Sequence, residues 1–396
     1  MNSVKKAIEL IIKAAITGEK QVMPTDATLE DIYTQLKRHS ILTLGYHGLV
    51  ICGADKKHAV MQQLFKDYIA TMMRSERQLA EKDRLLQIFE DNGIDYLPLK
   101  GCNMKALYPK PELRVMGDAD ILIHESDYAK ISGLLKNSGF EQTAGADHTL
   151  NWKNDSLYLE LHRRLVPVDD KDYLAYFGDG WQRAIHQKGH CWEYSTEDEF
   201  IFLFTHFARH IRFGGVGYRQ FTDIWVYTRH YTDLDYGYIN AEMEKLQLRE
   251  FFENAMKTVS ACFEDGDTDE KTDFISEFIF NSGSWGSITS YTISRSVRDK
   301  ASGESGGRGV KTQTLVRAFF PRLHSMSAHY RILEKHPALL PAMWVVRWCD
   351  IAINRPKNVS RRFRQVSAIN EDNVAQRKEI MDAVGLTYNF GEKTAE

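Results

Sequence analysis

The chain has 396 residues and a formal net charge of −3, from 51 basic and 54 acidic side chains. Hydrophobic residues make up 43% and charged residues 27%, which excludes a mainly disordered protein and disfavours a globally basic nucleic-acid binder. The five cysteines form no CxxC pair, which argues against a disulfide framework or a Cys-rich zinc site. The amphipathic start does not resemble a signal peptide, and no apolar run of about 18 residues occurs. We therefore expect a cytoplasmic protein without a transmembrane segment.

The chain divides into three predicted regions. Residues 1–92 have a helical pattern, and the segment from Lys57 to Glu90 contains no Gly or Pro, which predicts one long helix ended by Gly93. Residues 93–195 are predicted to form an α/β core. Residues 196–396 return to a helical pattern, with a flexible Gly/Ser-rich loop near 301–309.

The core region is predicted to alternate strands with helices. The strands are IDYLPLKG, LRVMGDADILI and SLYLELHRRL, and they are separated by the helical pieces CNMKALY and DYAKISGLLKNSG. This pattern predicts an α+β fold in which a small mixed β-sheet is flanked by N-terminal and C-terminal helical regions.

Acidic side chains cluster on two of these strands. Residues two apart on a strand share a face, so Arg114, Met116, Asp118 and Asp120 are expected on one face of the second strand. In the third strand, Glu160 and His162 share a face opposite three leucines. If the two strands pair, Glu160 joins Asp118 and Asp120 in a cluster that suits Mg²⁺, whereas a DxD motif by itself often only caps a turn.

The loop before the DxD motif, LPLKGCNM, has features of a phosphate-binding turn. Gly101 allows a ligand to approach the backbone closely, and Lys100 offers a positive charge. An ordinary strand-to-helix turn with a solvated lysine remains the alternative from the residues themselves.

The segment LPLKGCNMKALYPKPELRVMGDADILI resembles the DNA polymerase β-like nucleotidyltransferase superfamily, and more narrowly the bacterial nucleotidyltransferase proteins with an LKG…YP…R…DxD pattern. Softer likeness extends through LELHRRL, FLFTHFARH, RQFTDIWVY and the C-terminal helices, over most of residues 85–350. The resemblance implies transfer of an NMP from an NTP, with ATP as the expected donor, to an unidentified acceptor: a protein hydroxyl, a sugar or its phosphate, or a small molecule. A nucleic-acid end is not favoured.

The resemblance also implies roles for individual residues. Asp118, Asp120 and Glu160 would be catalytic and would hold Mg²⁺ or Mn²⁺. The nucleotide would be bound by Lys100, Gly101, Cys102, Arg114, His162, His206 and His210. The wider superfamily has Gly-Ser where this chain has Gly101-Cys102, and a thiol is a weak hydrogen-bond donor, so the grip on a triphosphate is in question. A non-catalytic binding protein with a degenerate site and a metal-dependent phosphohydrolase are the alternatives.

Three further features have more than one interpretation. His206 and His210 lie one helical turn apart, a zinc-compatible spacing, but a polar helix edge facing the cleft and a structural role in the interior are both preferred to zinc. Asp223 either serves a segment that closes over the cleft or forms an internal pair with Arg219. The basic run of residues 355–364 suits an anionic polymer or membrane headgroups, or is a solvated helix face.

Overall fold

The computed structural model describes residues 2–168, 170–213, 216–283, 316, 319–327, 330, 332–354 and 371–386. The predicted Gly/Ser loop at 301–309 and the basic run at 355–364 lie outside these residues. Among the described helices, none has the length and apolar character needed to cross a membrane.

Helices precede the sheet: α1 (Ser3–Thr17), α2 (Leu29–Arg38), α3 (Leu42–Ile51) and α4 (Ala59–Asp91). The first begins after Asn2, whose side chain accepts hydrogen bonds from two free backbone N–H groups of the first turn. The long helix predicted over 57–90 is α4, with 33 residues. It ends where Gly93 adopts φ +62°, a left-handed conformation that glycine takes without a Cβ clash.

One mixed sheet of seven strands lies at the centre of the chain. Its strands are β1 (Tyr96–Pro98), β2 (Ala119–Ile123), β3 (Glu141–Thr143), β4 (Thr149–Lys153), β5 (Tyr158–His162), β6 (Ile185–Lys188) and β7 (Cys191–Glu193). Their order is β3-β4-β5-β2-β1-β7-β6, with β2 parallel to β5 and β1 parallel to β7. The predicted α+β class is confirmed. The prediction of three strands was wrong: four further strands are short, and of these only β4 alternates polar and apolar residues.

Further helices connect and follow the strands. Those within the sheet region are α5 (Gly101–Leu107), α6 (Tyr128–Asn137) and α7 (Lys171–Phe177). After the sheet come α8 (Thr196–Phe213), α9 (Tyr218–His230), α10 (Tyr236–Lys245), α11 (Arg249–Phe263) and α12 (Glu270–Ser282). The later described helices are α13 (Leu323–Ser327), α14 (Ile332–Lys335), α15 (Leu340–Asn354) and α16 (Glu371–Val384).

The two faces of the sheet pack against different partners. On one face, Ile121 of β2 and Leu159 of β5 join a core formed with α6 and the end of α4, which includes Phe89 and Ile131. On the other face, Leu122 belongs to a larger core shared with α8. Because side chains alternate along a strand, burying Ile121 and Leu159 on the first face directs Asp120 and Glu160 to the second.

The larger core also joins helices that precede the sheet in the sequence to helices that follow it. The apolar stripe of α8 is buried in this core, and it consists of Phe200, Leu203, Phe204, Phe207 and Ile211. The helix α1 contributes Ile8 and Ile11 to the same cluster. Across it, the buried hydroxyl of Tyr218 in α9 donates a hydrogen bond to Glu9 of α1 at 3.1 Å. Helices that lie far apart in the sequence therefore enclose the second face of the sheet together.

Candidate metal and nucleotide site

Two parallel strands bring the acidic residues together. The register of β2 on β5 places Asp120 opposite Glu160 and Leu122 opposite His162. Glu160 and His162 are two residues apart on β5, so both side chains lie on the face that carries Asp120. Asp118 directly precedes β2. The strand pairing that the sequence required for an acidic cluster is present.

The segment before Asp118 differs from the prediction. The strand was expected to begin near Arg114, but β2 begins only at Ala119. Met116 packs in the core beneath the opposite face of the sheet, and its carbonyl accepts a hydrogen bond from Gln78. The predicted common face of Arg114, Met116, Asp118 and Asp120 was therefore wrong, since strand alternation does not apply to this irregular segment.

Short polar contacts order the cluster. The His162 Nε2 atom lies 2.8 Å from Asp120 Oδ1 and 3.8 Å from Glu160 Oε2. The other Glu160 oxygen accepts a hydrogen bond from the Asn151 amide at 3.1 Å, and the same amide donates to the hydroxyl of Tyr158. Asn151 lies on β4, a strand that the sequence analysis missed. The alternation of polar and apolar residues in TLNWK was the signal that could have predicted this strand, which pairs Asn151 with Glu160.

Burial and mutual repulsion dominate the electrostatics of two carboxyl groups. Burial, with the negative charge of Asp120, raises the pKa of Asp118. Burial, with the charges of Asp120 and Asp118, raises the pKa of Glu160 to about 7. Both shifts show that negative charge at this position is costly without a cation.

Lys100 provides positive charge within the cluster. Burial would raise the pKa of Asp120, but Lys100 and the hydrogen bond with His162 hold it well below its usual range. The Lys100 Nζ atom lies 3.3 Å from Asp120 Oδ1 and 5.5 Å from the centre of the Phe202 ring. Sequence reasoning assigned Lys100 to phosphate, but the structure pairs it with the central carboxylate.

The donor atoms of the cluster fit a divalent cation. One ligand atom each of Asp120, Glu160 and His162 lie within 4.8 Å of one another. Two carboxylates with an imidazole form a hard, mainly oxygen set that suits Mg²⁺ or Mn²⁺. The His162 Nδ1 and Asn151 Oδ1 atoms are buried without a hydrogen-bond partner in the structure. Buried polar atoms without a hydrogen-bond partner are rare inside folded proteins, so these two atoms are available to bind a ligand or water.

Arg114 forms its buried ion pair with Asp223 of α9. Its guanidinium forms two hydrogen bonds with Asp223 of α9, whose Oδ1 also accepts one from Tyr108 at 2.7 Å. A Cβ placed on Gly101 would lie 2.7 Å from Arg114 Nη1. The absence of a side chain at Gly101 thus accommodates an arginine, whereas the sequence suggested that it admits a ligand.

Asp223 therefore forms an internal pair, but its partner differs from the predicted one. The sequence suggested Arg219, four residues earlier in α9. In the structure, Arg114 and Tyr108 contact the carboxylate, and Arg219 donates a hydrogen bond to the carbonyl of Val115 at 3.3 Å.

The Cys102 thiol is buried 3.7 Å from the backbone carbonyl of Asp120, and burial raises its pKa to about 12.

His206 and His210 contact each other through their Nε2 atoms at 2.8 Å. Burial and then Lys100 lower the pKa of His210 to about 3, and the same two causes hold the pKa of His206 well below its usual value, so both rings are neutral and near Lys100. In the part of the chain that the structure describes, they gather no third ligand for a metal.

Comparison with protein families assigns the chain to a class of enzymes that transfer phosphorus-containing groups. The profile of the family described as "uncharacterised nucleotidyltransferase" matches residues 25–264, more than half of the chain. The chain belongs to this nucleotidyltransferase family. The match includes the acidic cluster and Asp223. Enzymes of this class use a nucleoside triphosphate donor and generally a divalent metal. Comparisons with curated proteins and with solved structures find no match.

Proposed function

We propose that the protein transfers an NMP from an NTP, with ATP as the expected donor, to a hydroxyl or phosphate acceptor, and releases pyrophosphate. The observation that supports this reaction is the register of β2 on β5, which sets Asp120 directly beside Glu160 with His162 at 2.8 Å. Asp118, Asp120 and Glu160 would hold Mg²⁺ or Mn²⁺, with His162 at the edge of the ligand set. Such an ion, when bound, neutralises phosphate charge and favours in-line displacement.

The residues of the chain supply position and a proton acceptor. The acceptor oxygen forms a bond to the α-phosphorus while the bond from that phosphorus to the pyrophosphate oxygen breaks. When the acceptor is a hydroxyl, its proton passes to the Glu160 carboxylate, which accepts a hydrogen bond from the Asn151 amide at 3.1 Å; a phosphate acceptor attacks as the anion and releases no proton. Positioning of this kind supplies much of the rate enhancement in phosphoryl transfer.

The triphosphate is proposed to lie between the cluster and α8. The side of the proposed nucleotide site next to α8 carries Lys100, His206 and His210, and Lys100 supplies positive charge there. Arg114 is fixed by Asp223, so it supports the loop around Gly101 and does not reach out to phosphate. Cys102 contributes packing, since its thiol faces the backbone of Asp120. The replacement of the usual serine by Cys102, a weak hydrogen-bond donor, therefore has little effect on phosphate binding.

Incubation with α-labelled NTPs, Mg²⁺ or Mn²⁺ and a cell extract as the source of acceptor tests the proposal. We expect label transfer together with pyrophosphate release. Asp118→Asn and Asp120→Asn should abolish both while the thermal unfolding curve still shows a folded protein. Asp155→Asn is the matched control, because Asp155 is exposed in the turn between β4 and β5 and loses the same charge.

Other outcomes would contradict the transferase. Inorganic phosphate without label transfer would indicate a metal-dependent phosphohydrolase that uses the same carboxylates. Metal-dependent nucleotide binding without turnover, in the presence of extracts from several sources, would indicate a binding protein with a degenerate site.

A further inference from the structure

Lys100 occupies a position in the acidic cluster that a metal ion would contest. Its Nζ atom lies 3.3 Å from Asp120 Oδ1, the same oxygen that His162 approaches at 2.8 Å. Asp120 is one of the three residues whose ligand atoms converge. An ammonium ion and a divalent cation on one carboxylate repel each other, and this repulsion is strong in a partly buried site.

The side chain of Lys100 is able to leave Asp120 without a change in the backbone. Its carbonyl oxygen accepts hydrogen bonds from the backbone N–H groups of Asn103 and Met104 at 3.0 and 2.9 Å, so the backbone is fixed at the start of α5. Its Nζ atom also lies over the face of the Phe202 ring, 5.5 Å from the ring centre, a weak interaction at that distance. Four flexible methylene groups allow the ammonium to move while the main chain stays in place.

The backbone at Lys100 indicates that this position is under constraint. Its φ of +42° with ψ of −106° is a conformation that residues other than glycine rarely adopt. Strain of this type persists where surrounding contacts impose it, and it concentrates at functional sites. Here it sets a lysine between the central carboxylate and α8, the helix that carries His206 and His210.

We propose that Lys100 is an internal counter-ion that competes with the divalent cation for Asp120 and is displaced when the metal binds. This inference rests on the proposed metal site. The lysine keeps the cluster neutralised in the nucleotide-free enzyme and weakens the binding of metal alone. Arrival of metal together with a triphosphate releases the ammonium from Asp120 and offers it phosphate oxygens as new partners. Metal and nucleotide therefore bind cooperatively, and the positioning residue for this coupling is Lys100.

Binding of Mn²⁺ alone to the nucleotide-free protein, measured by the electron paramagnetic resonance signal of free Mn²⁺, tests the inference without turnover. We expect Lys100→Met to lower the Mn²⁺ Kd by about tenfold, because a repelling charge is removed. Lys100→Gln should act in the same direction, and it provides a second neutral variant if Lys100→Met does not fold. Lys110→Met is the matched control, since Lys110 is exposed on the following loop, and its Kd should equal that of the wild type.

The outcomes separate the inference from the proposed function. A Kd that is unchanged or higher in both neutral variants of Lys100 overturns the competition. Asp120→Asn should lose Mn²⁺ binding, and if its Kd instead equals that of the wild type, the metal site itself is wrong, whatever the lysine variants show. If Lys110→Met lowers the Mn²⁺ Kd as much as Lys100→Met does, the effect comes from net charge alone, and this outcome would also overturn the inference.

Discussion

Arg114 binds Asp223 through two hydrogen bonds, from Nε to Oδ1 at 3.2 Å and from Nη2 to Oδ2 at 3.0 Å. Both side chains are buried, with 8% and 3% of their surface exposed. Tyr108, just after α5, donates a third hydrogen bond to the same carboxylate. The pair therefore ties the loop that precedes the acidic cluster to α9, a helix outside the sheet region.

Loss of the Asp223 charge should destabilise the protein strongly. Asp223→Asn leaves a buried guanidinium without its counter-ion, and breaking a buried pair from one side costs about 3–5 kcal/mol. We expect a lower midpoint in urea or thermal unfolding. Asp233→Asn, an exposed aspartate in the loop after the same helix, serves as the control and should unfold as the wild type does. Equal midpoints for the two variants would contradict the importance of the buried pair.

The size of residue 101 should matter because of Arg114. Gly101→Ala places a methyl group 2.7 Å from Arg114 Nη1, and overpacking of this kind costs about 1–3 kcal/mol. Gly117→Ala is the matched control, because a Cβ there meets nothing within 4 Å. Unfolding midpoints and transferase rates of both variants should be compared. An alanine tolerated at 101 as well as at 117 would show that the guanidinium moves aside freely.

The Glu160 side chain should be needed for the rate more than for folding. Glu160→Gln keeps an oxygen for the Asn151 amide but cannot take the acceptor proton. A general base contributes about 10²–10⁴-fold, so we expect kcat to fall by that factor. Glu141→Gln, on the exposed edge strand β3, should retain the wild-type kcat. A Glu160→Gln enzyme with wild-type kcat would remove this residue from the chemistry.

His39 makes stability depend on pH through the helical part of the core. Its Nδ1 accepts a hydrogen bond from the Tyr218 N–H at 3.3 Å, so Nε2–H donates to the Phe280 carbonyl at 3.1 Å. Burial lowers the pKa of His39 from 6.5 to about 4. Between these values the unfolded chain binds a proton at His39 and the folded chain does not. The free energy of unfolding therefore decreases as pH falls from 6.5 to 4, by about 3 kcal/mol from this group.

Urea unfolding at pH 7, 5.5 and 4.5 measures this contribution. His39→Asn should be less stable than the wild type at pH 7, because it loses the bond to Phe280, but its free energy of unfolding should decrease less over the acid range. Parallel decreases in the two proteins would show that other groups account for the acid sensitivity.

The central pairing of the site was predictable because apolar and polar residues alternate strictly in β5 and a buried apolar run follows Asp120 in β2. Leu159 and Leu161 must be buried, which directs Glu160 and His162 to the other face. The long helix α4 was predictable for a similar reason, since its 33 residues contain no helix breaker. Local sequence rules sufficed where one face of a regular element was buried.

The rest of the site depends on contacts between distant segments. Asn151 reaches Glu160 from β4, a five-residue strand that the sequence analysis did not predict, and Arg114 pairs with Asp223 in a helix that follows the sheet. Residues near Met116 are irregular, so face assignment by strand period failed there. The pairing of Lys100 with Asp120 also required the turn at residue 100, whose backbone conformation no residue preference would indicate.

The contact between Glu9 and Tyr218 has a consequence for synthesis of the chain. The ribosome produces α1 before α9 and α11, yet the cluster that buries Ile8 and Ile11 also contains residues of these later helices, such as Phe263. Until the later helices emerge, part of the apolar face of α1 remains uncovered. A polypeptide that stops before α11 thus exposes an apolar surface that chaperones and proteases recognise, although all the strands of its sheet have already been synthesised.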